Sequence, residues 1–248
     1  MRRTFVELRL FAVGACALVA FLVAARPTPA ANLIVNGGFE TGSPVFGGVP
    51  TTFGTWQGDQ TAYVTAENAI TPPEGSQMLR FLATNAGGPS VITNTSQYFQ
   101  NVDLSPFAAT IAAGNARLSA SALFNRVIGD ASTDNAFGIT IFARSGTPSS
   151  FTTLASTSAV IFSDANLSTW ESANINNFLL PPTTTFVLFE LDAFENVVND
   201  GGIEFDGHYA DNVMLTVVPE PSGFALAVSA LGACIACARR RRFRGTAT

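Results

Sequence analysis

The chain has 248 residues, 47% of them apolar and 12% charged, with no lysine, which excludes wholesale disorder and allows one substantial domain or two small ones. Nine of its 13 basic residues lie in residues 1–31 or 219–248, so residues 32–218 keep four arginines against 16 carboxylates, a formal charge of −12. That surface repels nucleic acid and anionic lipid, leaving cations, neutral glycans or basic proteins as partners.

Residues 1–31 run from Arg2, Arg3 and Arg9 through apolar Leu10 to Ala25 into a small-residue zone around Ala30. This order predicts a secretory signal helix, basic end cytoplasmic, with cleavage between Ala25 and Ala31. The alternatives are a permanent anchor and, from "VGAC" ending at Cys16, a lipoprotein site that would have to lie inside the apolar run. All three cysteines, Cys16, Cys234 and Cys237, fall in the terminal segments, so residues 32–218 form no disulfide. "CIAC" has redox spacing but sits in an apolar run without a βαβ context, and reads as membrane filler.

Residues 32–218 read as one all-β domain of short alternating runs punctuated by Gly, Pro, Asn, Ser and Thr. In "ARLSASALFN", Leu118, Ala120, Ala122 and Phe124 share one face, and in "AFGITIFAR" so do Phe137, Ile139, Ile141 and Ala143. "TTFVLFELDAF" is apolar on both faces and then alternates through Glu190 and Asp192, as a strand does on passing from sandwich centre to rim. "YADNVMLTV" sets Val213, Leu215 and Val217 on one face. Such strands without amphipathic helices between them predict a single two-sheet antiparallel β-sandwich with the 21 phenylalanines as its core.

"NLIVNGGFETG", Thr55–Trp56, "PPEGSQMLRF", "SQYFQNVDL" and "YADNVML", in that order, resemble the galactose-binding-like jelly-roll modules of carbohydrate-binding and bacterial surface proteins. In such modules the first and last strands meet and often hold a structural calcium. The resemblance would make Glu40 an early ligand and Asp211 a late one, with turn carbonyls near Asn36 completing a shell of hard oxygens. Otherwise Glu40 and Asp211 cap turns or face solvent. Glycan binding would need exposed aromatic faces, for which Trp56, Tyr63, Tyr98, Trp170 and Tyr209 are the candidates, each with core packing as the alternative. No catalytic motif appears, and His208 reads as a surface or turn residue. The expectation is a protein that is not an enzyme, the rival being a glycan-acting enzyme whose carboxylate pair carries no motif.

The apolar run from Gly223 to Ala238 would span about 24 Å as a helix, marginal for a membrane. Arg239, Arg240, Arg241 and Arg242 would halt translocation and stay cytoplasmic. Pro219, Glu220 and Pro221, the apolar run and the arginine block together resemble the PEP-CTERM sorting signal over residues 219–244. That resemblance implies recognition by an exosortase in the inner membrane of a Gram-negative bacterium. Release of the transmembrane helix and transit to the cell surface or an exopolysaccharide matrix would follow. The alternative is an ordinary C-terminal anchor that keeps the protein in the inner membrane.

Overall fold

A computed structural model describes residues 31–83, 95–127, 136–164, 166–194 and 207–219. Both apolar terminal segments, Glu220, Pro221 and the four consecutive arginines lie outside these residues. Among the described residues no helix is long and apolar enough to cross a membrane.

Among the described residues eleven strands form two sheets. They are β1 (Val45–Phe46), β2 (Trp56–Gly58), β3 (Gln60–Val64), β4 (Met78–Ala83), β5 (Thr95–Asp103), β6 (Ala116–Arg126), β7 (Ala136–Thr147), β8 (Ser150–Phe162), β9 (Glu171–Leu179), β10 (Phe186–Phe194) and β11 (His208–Pro219). Sheet A has the order β1-β2-β5-β10-β7-β8 and sheet B the order β3-β4-β11-β6-β9. Every pairing between named strands is antiparallel except β1 with β2. A short α1 (Ala108–Ala112) bridges β5 and β6. The 3₁₀ turn before it is started by Asp103, whose carboxylate accepts hydrogen bonds from Ser105 N and Oγ.

The core lies between the sheets and follows the period-two pattern. Leu118, Ala120, Ala122 and Phe124 of β6 and Val213, Leu215 and Val217 of β11 are buried against Phe137, Ile139, Ile141 and Ala143 of β7. Phe124 and Phe137 stack across the two sheets with centroids 4.8 Å apart. Burial of this continuous apolar layer, at about 25 cal/mol per Å² removed from water, is the main term that holds the sheets together. Ile70, Met78 and Tyr209 form a smaller cluster at one side.

Three expectations need correcting. Glu190 and Asp192 do not pass to a rim: β10 lies between β5 and β7, and both acids are buried at 4% exposure. His208 is not a surface residue. It is 3% exposed, on β11 opposite Phe81 and Arg126, with its ring 5.5 Å from that of Phe137. The phenylalanines are not all core, because Phe46, Phe53, Phe151 and Phe162 are exposed.

Candidate functional site

The outward face of sheet A carries a connected set of polar and titratable side chains. On β10, Val187, Phe189, Leu191 and Ala193 point into the core, so Phe186, Leu188, Glu190, Asp192 and Phe194 face the other way. The register sets Glu190 between Phe99 of β5 and Thr140 of β7, and Asp192 between Gln97 and Gly138. Gln57 of β2 lies opposite Phe99 and extends the row.

Gln97 ties this group together. Its Nε2 donates to Glu190 Oε1 and, at 3.2 Å, to Asp192 Oδ1, while its backbone N–H donates to Asp59 Oδ2 at 2.9 Å. Burial raises the pKa of both Glu190 and Asp192 above the ordinary carboxylate range. The negative charges of Asp192 and Asp59 push Glu190 further up, and Arg144 opposes them. Two carboxyls in hydrogen-bond contact behave as one unit that retains a proton. They are also too close for a glycosidic bond to fit between them, since glycoside hydrolysis needs carboxyl groups at least about 5 Å apart.

Arg144 closes one end of the face. Its guanidinium sits 3.9 Å from the Phe151 ring centroid and 5.5 Å from that of Phe142, and burial lowers its pKa. Its Nε and Nη1 have no hydrogen-bond partner among the described residues. Phe53 and Phe151 pack edge-on against Phe186, with centroids 5.8 and 6.2 Å away. Half-buried Gln57, Gln97, Phe99, Thr140 and Phe142 are the groups a ligand would meet first, with the carboxyl pair as the floor.

The structure is similar to family 22 carbohydrate-binding modules. The C-terminal family 22 module of Clostridium thermocellum Xyn10B matches with a TM-score of 0.36 and 16% identity, over 73% of this chain and 94% of that one. The N-terminal CBM22-1-CBM22-2 tandem of Paenibacillus barcinonensis Xyn10C matches with a TM-score of 0.41 and 14% identity, over 79% and 52%. The enzymatically active domain of bacteriophage CBA120 tailspike protein 4 gives 0.42 and 11%, over 75% and 21%. These are likenesses of fold alone. No family model matches the chain, and no curated protein matches its sequence.

The five aromatic candidates lie elsewhere. Trp56 is 4% exposed, stacks on Tyr98 at 5.5 Å and 4°, and donates from Nε1 to Val35 O. Tyr98 is fully buried, and half-buried Tyr63 sits with its hydroxyl 3.4 Å from that of Tyr98. Tyr209 is fully buried and donates to Glu67 Oε1 while accepting from Asn68 Nδ2. Half-buried Trp170 packs beside it and donates to Thr71 O. Trp56, Tyr98 and Tyr209 thus spend their ring faces on packing. The groups on sheet A carried one readable signal, two acids at i and i+2 in a strand otherwise apolar on both faces.

The first strand does not meet the last, because β1 pairs with β2 in sheet A and residues 32–40 form no strand; it is this non-strand segment that lies along β11. Asn32 donates from Nδ2 to Val213 O and accepts from Leu215 N, and Val213 N donates to Gly37 O. A Cβ on Gly37 would lie 2.2 Å from Val213 O, so only glycine permits this approach. Asp211 precedes a bulge in β11 and is fully buried; Oδ1 accepts from Asn212 N, and Oδ2 has no partner among the described residues. Burial, then the charges of Glu40 and Glu74, pushes its pKa up to about 7. Glu40 is exposed and accepts from Ser76 N, Ser76 Oγ and Gln77 N, which lowers its pKa. The Asn36 side chain is spent on both backbone groups of Thr41. Among the described residues no three Asp, Glu, His or Cys side chains are grouped to hold a metal. The partnerless Asp211 Oδ2 is the atom of this corner that a cation would meet, while Glu40 is spent on Ser76 and Gln77.

Proposed function

We propose that this chain is an exported, non-catalytic β-sandwich that binds neutral glycan on the outward face of sheet A, as an adhesive or structural component of a polysaccharide matrix. The supporting observation is the Gln97–Glu190–Asp192 group, with Glu190 set between half-buried Phe99 and Thr140 and half-buried Phe142 two residues along β7 from Thr140. The buried carboxyl pair fixes the half-buried Gln97 amide, whose oxygen is an acceptor for a sugar hydroxyl, and the neighbouring rings offer apolar surface to a sugar face. The acidic domain favours a neutral polymer over an anionic one.

The proposal includes an address. Residues 1–31 start export, and residues 219–244 hold the chain in the inner membrane until an exosortase acts at Pro219, Glu220 and Pro221. Calcium at Asp211 would supply the positive charge that corner lacks and brace the junction of the first residues with β11.

Affinity electrophoresis of the secreted protein through gels containing neutral polysaccharides tests the glycan reading. Retardation by at least one polymer, reduced at least tenfold in Gln97→Ala and Glu190→Gln, is the expected result. No retardation by any neutral polymer, or retardation indifferent to both substitutions, would refute it. Intact-mass measurement of the protein recovered from producing cells tests the address, and a mature chain that keeps Arg239 through Arg244 would make it an anchor instead.

A further inference from the structure

The two sheets have four edges, and three of them are blunted. β1 has two residues; β3 has five and a register irregularity at Gln60. β9 pairs irregularly with β6, begins at the acid Glu171 and holds Asn177 at a φ of +58°. Short strands, bulges and charges are the devices by which natural sheets keep their unpaired backbone from joining another chain.

β8 has one of them, an extra residue at Leu154 in its ladder with β7, but from Ala155 to Phe162 it pairs without interruption. It runs for 13 residues, "SFTTLASTSAVIF", without a charge, a proline or a glycine. No charged residue occurs between Arg144 and Asp164. β8 ends the order of sheet A, and among the described residues no backbone hydrogen bond outside the β7 ladder reaches it. Phe162 is 73% exposed, Val160 52% and Phe151 44%, all along this strand. An uncharged, partly apolar edge that pairs regularly over Ala155 to Phe162 is a template for strand addition.

From this edge we infer that β8 pairs antiparallel with β8 of a second copy, joining two six-stranded sheets into one. The charge distribution selects this occupant. A domain carrying −12 repels its own copies over most of its surface, and β8 is the strip where two copies meet without opposing carboxylates. A basic partner would find no acid on this strip to pair with. The contact is isologous, and the opposite edge of sheet A ends in two-residue β1, so assembly closes at two rather than growing into a fibre. The inference does not rest on the glycan reading, since β8 contributes no member of the Gln97–Glu190–Asp192 group.

Sedimentation equilibrium and light scattering on the secreted protein across a dilution series test it, together with hydrogen exchange on the same samples. The expected result is a dimer whose β8 amides exchange more slowly as concentration rises. Ser158→Lys and Val160→Lys, each placing a cation on the solvent side of the strand, should give monomers with the thermal midpoint of the wild type at its most dilute. A wild type that is monomeric at its highest soluble concentration would overturn the inference. So would a dimer whose β8 amides exchange freely, a dimer that survives both lysine variants, or open-ended polymer. If either variant fails to fold, the concentration dependence of β8 exchange in the wild type decides alone.

Discussion

Replacing Trp56 separates a core role from a ligand-contacting one. Truncating a buried Trp to Ala costs about 3–5 kcal/mol in lost transfer and cavity terms. Trp56 also gives up a stacked contact with Tyr98 at 5.5 Å and angled contacts with Phe39 at 5.5 Å and Phe189 at 6.2 Å. Aromatic pairs of this kind add about 0.5–1.5 kcal/mol each beyond burial. The indole N–H bond to Val35 O is lost without orphaning that oxygen, because Gln100 Nε2 also donates to it at 2.9 Å. Trp56→Ala should therefore cost about 5 kcal/mol, comparable to the whole stability of many domains at about 5–15 kcal/mol. Trp56→Phe, which keeps a ring in the slot, should cost about 1–2 kcal/mol. Urea denaturation followed by far-ultraviolet circular dichroism reads both, with a midpoint falling by about 2 M or more for Trp56→Ala. An alanine variant with the wild-type midpoint and no glycan retardation would refute this reasoning and put Trp56 on the binding surface.

Further outcomes follow from other parts of the structure. Gly37→Ala drives a methyl into Val213 O and should cost about 1–3 kcal/mol, with faster hydrogen exchange at the Leu33 and Val213 amides; unchanged exchange would contradict the close approach. Burial raises Glu190 and Asp192 above their ordinary values of 4.5 and 3.8, so the folded chain retains protons that the unfolded chain releases. Their contribution is therefore whole below those values and is lost as pH rises through neutrality. Glu190→Gln should flatten the fall in thermal midpoint with pH, and an equally steep fall in the variant would sink that account. A chelator should lower the thermal midpoint and added calcium restore it, while Asp211→Asn should be indifferent to both. A wild type insensitive to chelation would remove calcium from the proposal.

The strands legible in the sequence were those with one wet and one dry face. Leu118 through Phe124 and Val213 through Val217 are such cases, because burial of alternate residues writes itself into composition. β10 was readable as a strand but not in position: a central strand is buried on both faces, and its two acids look like surface residues unless Gln97 is seen beside them. Trp56 sits on a three-residue strand, too short for periodicity to say which way its ring points. β8 gave no contrast at all, since serines, threonines and small apolar residues suit either face. Its place at an edge comes from long-range pairing that no local window contains.

The position of β11 has a mechanical consequence. It lies between β4 and β6, and its far end, Val217 and Val218, is paired with Leu118 and Arg117. A tug on the chain beyond Pro219, with the domain gripped elsewhere, draws β11 lengthwise. The ladder to β6 then resists in shear, many bonds sharing the load at once, instead of peeling one bond at a time from a sheet edge. Asn32 and Leu33, bonded to Val213 and Leu215, add a second grip on the same strand. A load along this line therefore meets both grips together.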